Sequence, residues 1–119
     1  MAVEEERIAD VPMLFVYGSL KQGMSHHHYL QDQHFIGQAH SAEKFRLLQV
    51  EFEGVAYPVA VESDEGAQLD GEIYEIDSGT LQAIDEYEDY PALYDRREFD
   101  FITDAGRTVH ALMYCAPGR

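Results

Sequence analysis

Basic residues are scarce in this sequence of 119 residues, which has 8 lysines and arginines against 23 aspartates and glutamates. The formal net charge is −15 at pH 7. Proteins that bind nucleic acids or anionic membrane surfaces neutralise phosphates with clustered lysine and arginine side chains. The charge balance therefore argues against both kinds of partner, and it implies that an anionic ligand group has to be held by local dipoles.

Cysteine is almost absent, because Cys115 is the single one. No internal disulfide can form, and nothing in the sequence requires an oxidising compartment. Residues 1–11 have neither the basic start nor the apolar run of a signal peptide, and they are predicted to be a flexible acidic arm. No stretch approaches the length of a transmembrane helix. We expect one cytoplasmic domain over residues 12–119, with no membrane partner and no indicated oligomeric state.

Metal-ligand spacing is also missing. Ser25 is predicted to be the N-cap of a short helix that runs through about Asp32. Successive residues of a helix point about 100° apart, so His26, His27 and His28 could not converge on one ion there. The histidine run is therefore interpreted as a polar helix face, and a metal site is not expected.

Strand-like segments dominate what the sequence does contain. A second helix is expected to open at Asp77 or Ser78 and to end near Asp89. Besides the strand discussed below, six strands are predicted: Phe35–Ala39, Phe45–Leu48, Val55–Val61, Leu69–Ile76, Arg96–Thr103 and Thr108–Cys115. A polar connection at Ser41–Lys44 is expected to join the first two. Pro58 should lie at a sheet edge or a bulge, and Gly71 should permit a close approach of another backbone. So many strands in a short chain predict a sheet that is curled or closed on itself, with the helices over its openings.

The run Met13–Tyr17, bounded by Pro12 and Gly18, predicts a short strand that is buried on both faces. At Gly18 the backbone can adopt a positive φ or come close to a ligand. Free N–H groups at such a strand end can bind a carboxylate or a developing oxyanion. An ordinary strand followed by a turn is the alternative interpretation.

Four acids lie at the end of the second predicted helix: Asp85, Glu86, Glu88 and Asp89. Repulsion among them and the negative helix end should raise carboxyl pKa values toward the range that a general base needs. Glu88 follows Ile84 by four residues, which predicts that it lies on the core-facing side while the other three lean outward. A solvated acidic turn is the alternative.

Four motifs resemble the γ-glutamyl cyclotransferase-like superfamily, and the resemblance covers residues 13–115. They are Tyr-Gly-Ser-Leu at 17–20, Tyr-Pro at 57–58, Gly-Glu-Ile-Tyr at 71–74, and the run Ile-Asp-Glu-Tyr-Glu-Asp-Tyr-Pro-Ala-Leu-Tyr-Asp-Arg at 84–96. The pattern Asp-x-x-Glu followed by Pro-Ala-Leu-Tyr-x-Arg looks most like the γ-glutamylamine cyclotransferase branch.

The resemblance implies an α+β fold, a small closed or nearly closed mixed β-barrel of six or seven strands with two short flanking helices. It implies release of 5-oxoproline from a small γ-glutamyl substrate without a metal or cofactor. Glu88 would be the general base and acid, and the substrate-binding residues would be Tyr17, Gly18, Ser19, Leu20 and Tyr94. Two alternatives remain. The protein could be a non-catalytic binding domain of the same fold, or an enzyme that removes a γ-glutamyl protecting group in a biosynthetic pathway.

Several residues keep a plainer interpretation beside the functional one. Tyr94 either lines the pocket or fills the core. Arg96 either pairs with the acidic cluster or helps to close the barrel. Ser19 is disfavoured as a nucleophile because no histidine is placed by sequence as its base. Cys115 is predicted to be a small core residue rather than a reactive thiol.

Overall fold

The computed structural model describes residues 12–18, 20–52, 54–88, 90 and 94–116. The acidic arm predicted at residues 1–11 lies outside them. In chain order the elements are β1 (Met13–Val16), a 3-10 helix (His27–Leu30), β2 (His34–Phe52), β3 (Val55–Glu62), β4 (Ala67–Glu75), α1 (Ser78–Tyr87), β5 (Asp95–Thr103) and β6 (Thr108–Cys115). No helix in this described part of the chain is long and apolar enough to cross a membrane.

Five strands close into a barrel in the order β2-β4-β1-β6-β5, and β5 pairs back onto β2 between Ala39–Ser41 and 101–103. The pairing of β1 with β6 is parallel and its pairing with β4 is antiparallel, so the barrel is mixed, as predicted. Closure removes the unpaired edges that an open sheet would expose. The sixth strand, β3, extends the sheet from β2 as an edge strand, and it contains Pro58 as expected.

Strand β1 is buried on both faces, which confirms the prediction from its apolar run. Phe15 points into the barrel and stacks on Phe101, with ring centroids 4.0 Å apart. Leu14 and Val16 belong to a second apolar core, which also contains Ile84 of α1. Because it contributes to both cores, β1 fixes the position of the segment that follows it.

The two strands predicted on either side of Ser41–Lys44 are one continuous strand, so the predicted polar connection is wrong. The register with β4 shifts within this stretch. The Ser41 hydroxyl donates to the Glu43 carbonyl at 2.6 Å and accepts from the Leu69 N–H at 2.8 Å. Its side chain thus satisfies a backbone group at the bulge, which is why a polar residue is buried inside the sheet.

One of the two predicted helix starts is confirmed. Asp77 caps α1, and its carboxylate accepts from the Thr80 N–H at 2.6 Å. The helix expected after Ser25 is a single 3-10 turn that ends before Asp32, and Ser25 is not its cap. The N-cap position is His26, and the Ser25 hydroxyl contacts the Nδ1 atom of that residue at 3.0 Å.

Gly71 of β4 permits the close approach that the sequence predicted. A Cβ atom at this position would lie 2.3 Å from the carbonyl oxygen of Val16 and 2.6 Å from the ring of Phe15. Such distances are far below van der Waals contact, so a side chain here would push β1 away from β4. Glycine therefore fixes where β1 ends and where the following segment leaves the sheet.

Candidate active site

A cavity of about 230 Å³ opens at the end of β1, next to β3 and the end of α1. Its wall is mainly aromatic and apolar. Among the described lining residues Glu88 is the one acidic side chain, and none is lysine or arginine. The lining residues are Phe15, Val16, Tyr17, Gly18, Leu20, Ser25, His26, Ala56, Pro58, Tyr87, Glu88, Tyr94 and Tyr114.

Glu88 is the C-cap of α1, and its backbone N–H donates to the carbonyl of Ile84 at 2.8 Å. Ile84 is completely buried in the outer core. Glu88 therefore lies one turn beyond a core residue, and its side chain reaches the cavity wall, as the four-residue spacing predicted.

Burial raises the pKa of Glu88 from 4.5 to about 7. A raised value was predicted, from repulsion by neighbouring acids, from the helix end and from partial desolvation of the core-facing carboxyl. Withdrawal of the carboxyl from solvent is the cause, and the neighbouring acids and the helix end are not. A carboxyl with this pKa can accept a proton near neutral pH and return it.

We expect the burial of Glu88 to lower protein stability as the pH rises from about 4.5 to about 7. The folded state keeps the carboxyl proton over this window while the unfolded chain loses it, because the pKa is raised on folding. The folded state then binds more protons, so stability decreases with pH. At pH 8, Glu88→Gln should therefore be more stable than the wild type by up to roughly 3 kcal/mol in the free energy of unfolding, and it should unfold at a higher temperature.

Thermal unfolding followed by circular dichroism at pH 5, 6.5 and 8 measures this difference. The difference in unfolding temperature between the variant and the wild type should become smaller toward pH 5. A difference that does not change with pH would contradict the withdrawal of the Glu88 carboxyl from solvent.

Asp85 does not lean into solvent, contrary to the sequence prediction. Its carboxylate accepts two hydrogen bonds from the Arg96 guanidinium, Nε to Oδ1 at 2.9 Å and Nη2 to Oδ2 at 3.2 Å. The Tyr114 hydroxyl donates a third at 2.5 Å. Arg96 thus pairs with the acidic cluster, which settles the alternative left open above. These contacts tie α1 to β5 and β6 one turn before Glu88, while Glu86 is exposed as expected.

Three residues of the predicted ligand-binding segment line the cavity: Tyr17, Gly18 and Leu20. Ser19 lies outside the described residues, as does Asp89 of the acidic cluster. The Tyr17 hydroxyl donates to the Tyr114 carbonyl at 2.8 Å and accepts from the Ala60 N–H at 3.2 Å. Its ring forms part of the wall while its hydroxyl is engaged in the fold.

Of the two possibilities that the sequence left open at Gly18, the left-handed backbone is not adopted. A Cβ atom at Gly18 would lie 3.9 Å from Cγ of Pro58, with no other heavy atom of the described residues within 4 Å outside its chain neighbours. Pro58 also lines the cavity. Glycine at this position therefore keeps open space that a side chain would take from a ligand.

Gly18 and Leu20 line the cavity, and each carries a backbone N–H group. The Lys21 N–H donates to the Gly18 carbonyl at 3.1 Å, which closes a turn across this segment. No described residue accepts from the N–H of Gly18 or Leu20. Backbone donors beside a cavity can bind a carboxylate or a carbonyl oxygen.

The aromatic wall was only partly predicted. Tyr94 is buried and lines the cavity, and its hydroxyl donates to the Pro58 carbonyl at 2.9 Å. The sequence analysis missed Tyr87, Tyr114 and His26. The His26 Nδ1 atom lies 2.8 Å from the Tyr87 hydroxyl oxygen, so this histidine belongs to the cavity rather than to a solvent-facing helix surface. For Tyr87, its position next to Glu88 in the sequence was the signal that could have placed it at the cavity.

Other candidate reactive groups lie away from this cavity. Cys115 is buried in the barrel core, as predicted, and burial raises the pKa of its thiol. Within the described ranges, no three histidine, cysteine, aspartate or glutamate side chains are grouped closely enough to hold a metal ion. The chemistry of the cavity therefore depends on one carboxyl group, an imidazole, hydroxyls and backbone N–H groups.

Comparison with known proteins shows which family this chain is similar to. The sequence profile of the family described as "Gamma-glutamyl cyclotransferase, AIG2-like" matches residues 14–119. A Methanocaldococcus jannaschii protein named "Putative gamma-glutamylcyclotransferase" is 35% identical over 105 residues, covering 87% of this chain and 83% of that protein. "Gamma-glutamylaminecyclotransferase C" of Danio rerio is 34% identical over 111 residues, covering 85% and 72%.

Comparison of the fold with solved structures points to the same family. The crystal structure of an AIG2-like protein from Mus musculus superposes with a TM-score of 0.77 at 27% identity, covering 89% of this chain and 77% of that one. The family match includes Glu88 and the segment Tyr17–Leu20. The chain belongs to the γ-glutamyl cyclotransferase, AIG2-like family, as its four motifs predicted.

Proposed function

We propose that this protein releases 5-oxoproline and a free amine from a γ-glutamyl amine or a related γ-glutamyl compound. The observation that carries the proposal is Glu88, a partly buried carboxyl at the cavity wall with a pKa of about 7. Membership of the family supports the reaction class. The name of the Danio rerio relative supports an amine as the leaving group.

Glu88 would act as a proton carrier. The α-ammonium of a γ-glutamyl substrate cannot attack until it loses a proton, and Glu88 accepts that proton. The α-nitrogen then bonds to the γ-carbonyl carbon, and the bond from that carbon to the leaving nitrogen breaks. The attacking nitrogen loses two protons in all and the leaving nitrogen gains two, so the substrate supplies every proton that the products need.

The cavity would supply position and charge stabilisation. Ring closure is intramolecular, so holding the glutamyl chain in a folded conformation removes much of the entropic barrier. The N–H groups of Gly18 and Leu20 would bind the substrate carboxylate or the oxyanion that forms on the γ-carbonyl. The aromatic wall would exclude water from the reacting atoms.

The direct test is to incubate the purified protein with a panel of γ-glutamyl compounds and to measure 5-oxoproline. Release of 5-oxoproline with one equivalent of amine supports the proposal. Saturable binding of the compounds without product would instead favour the non-catalytic alternative. Release of glutamate rather than 5-oxoproline would contradict the intramolecular attack.

We expect kcat/KM to favour γ-glutamyl amines such as γ-glutamyl-ε-lysine over glutathione at low salt. The distal part of glutathione ends in a carboxylate, and no described lysine or arginine lines the cavity to receive it. Arg96 is already paired with Asp85. The net charge of −15 adds a repulsive field that salt screens over about 8 Å at physiological ionic strength.

Measuring kcat/KM for both substrates at low and high ionic strength tests this preference. The ratio of the two kcat/KM values should decrease as the salt concentration is raised. The glycine-free analogue γ-glutamylcysteine amide, which lacks the terminal carboxylate of glutathione, is a suitable control. Equal turnover of glutathione and the amine at low salt would refute a role for charge in selection.

A further inference from the structure

A buried carboxyl group lies beneath the cavity-lining segment and takes no part in the reaction proposed above. Glu72 of β4 is opposite Val16 of β1, and 5% of its surface is exposed. Its neighbour Ile73 belongs to the barrel core and Tyr74 to the outer core. Because side chains alternate along a strand, Glu72 shares the outer face with Tyr74. A carboxyl group is costly to bury unless it is hydrogen-bonded.

Glu72 meets this requirement through the segment that follows β1. Its Oε1 atom accepts from the backbone N–H of Gln22 at 3.0 Å and from the Tyr74 hydroxyl at 3.0 Å. The Gln22 contact joins residues that are 50 positions apart in the sequence. One oxygen atom of β4 thus anchors the backbone two residues after Leu20.

The same segment is anchored at other peptide groups. These hydrogen bonds are Lys21 N–H to Gly18 C=O at 3.1 Å, His27 Nδ1 to Leu20 C=O at 2.9 Å, and Met24 N–H to Lys21 C=O at 3.0 Å. Each peptide group is planar, so fixing its carbonyl or N–H fixes its orientation. The N–H groups of Gly18 and Leu20 are the donors beside the cavity described above.

We infer that Glu72 is a positioning residue, which holds the Gln22 N–H and thereby fixes the turn that carries Gly18 and Leu20 at the cavity wall. The inference rests on the proposed function, in which the N–H groups of those two residues bind the substrate. Without the Glu72 oxygen, the segment would lose its hydrogen bond to β4. Gln22 is exposed, so water would replace the carboxylate as acceptor and the segment would no longer be held in one position.

The test compares variants that each change the contacts of the same oxygen atom. Glu72→Leu removes the acceptor for both donors. The matched control Tyr74→Phe removes the tyrosine hydroxyl, including its contact with the Gln22 side chain, and leaves the backbone N–H of Gln22 bonded to Glu72. Glu72→Gln keeps an acceptor oxygen that is weaker than a carboxylate. Each variant is assayed for 5-oxoproline release from a γ-glutamyl amine, with KM and kcat determined separately.

Glu72→Leu should raise KM at least ~10-fold, the scale expected when a binding segment loses an anchoring hydrogen bond and its aligned groups move. Tyr74→Phe should change KM less than ~3-fold, and Glu72→Gln should fall between the two. A Tyr74→Phe variant as impaired as Glu72→Leu would overturn the inference, because the effect would then come from the outer core and not from the segment.

A second readout does not depend on turnover. In ¹H–¹⁵N spectra the Gln22 amide should exchange slowly in the wild type and in Tyr74→Phe, and faster in Glu72→Leu. Added 5-oxoproline should shift the Gly18 and Leu20 amides of the wild type, and this response should weaken in Glu72→Leu. If Glu72→Leu does not fold, Glu72→Gln decides, with faster Gln22 exchange and a higher KM than in Tyr74→Phe.

The two readouts separate the inference from the proposed function. A wild-type protein that releases no 5-oxoproline would refute the proposed reaction, and the amide measurements would still decide the role of Glu72. A wild-type protein that is active but whose Gln22 amide exchanges equally fast with and without the Glu72 carboxyl would refute the positioning role alone.

Discussion

Replacing Glu88 with glutamine should lower turnover of a γ-glutamyl substrate at least ~10²-fold while the protein stays folded, the scale usual for loss of a general base. Glutamine has nearly the same shape but cannot accept a proton from the α-ammonium. The buried site should tolerate it, because burial already favours the neutral form of the carboxyl and raises its pKa to about 7. The loss should therefore appear in kcat more than in KM.

Glu86→Gln is the matched control, because it removes the same charge from an exposed position in the same helix. Turnover of this variant should stay close to that of the wild type. The wild-type kcat/KM should rise with pH through about 7 as Glu88 ionises in the free enzyme. Near-native turnover in Glu88→Gln would contradict the role of Glu88 as base.

Replacing Gly18 with valine should reduce kcat/KM at least ~10²-fold, because substrate alignment is lost when the cavity space is filled. The first side-chain carbon would meet Cγ of Pro58 at 3.9 Å, an ordinary contact, so the fold should accept the change. The two further methyl groups would occupy the space between Gly18 and Pro58, which both line the cavity.

Gly18→Ala should be impaired less than Gly18→Val, because a single methyl group takes less of the cavity. Ser19→Ala should cost much less than either, since the segment is proposed to bind through its backbone. Circular dichroism confirms folding for each variant before kinetics are compared. If Ser19→Ala lost more activity than Gly18→Val, the segment would act through a side chain instead.

Local physical chemistry was sufficient to predict much of this fold. The apolar run from Met13 to Tyr17 predicted a strand buried on both faces, and β1 is buried in that way because one face packs in each core. A cap for α1 was predicted at Asp77 or Ser78, and Asp77 takes that role because its carboxylate accepts from an N–H three residues later. Such features depend on residues a few positions apart, so the sequence alone determines them.

The spacing of Glu88 from Ile84 likewise predicted that Glu88 would face inward, but not that Asp85 would do so too. The extent to which Glu88 is buried was not predictable, because it depends on strands and segments far along the chain that cover the carboxyl. The ion pair of Asp85 with Arg96 was also hidden, since the two side chains meet across 11 residues and a change of element.

Tertiary structure decided the features that involve distant parts of the chain. Ser41 is buried inside a continuous strand because Leu69, 28 residues away, supplies a donor to its hydroxyl. Glu72 can be buried because Gln22, 50 residues away, and Tyr74 donate hydrogen bonds to its carboxylate. A polar residue is normally read as exposed when only its neighbours in sequence are known. The fold can bury it wherever a distant partner satisfies its hydrogen bonds, and that partner is fixed only when the barrel closes.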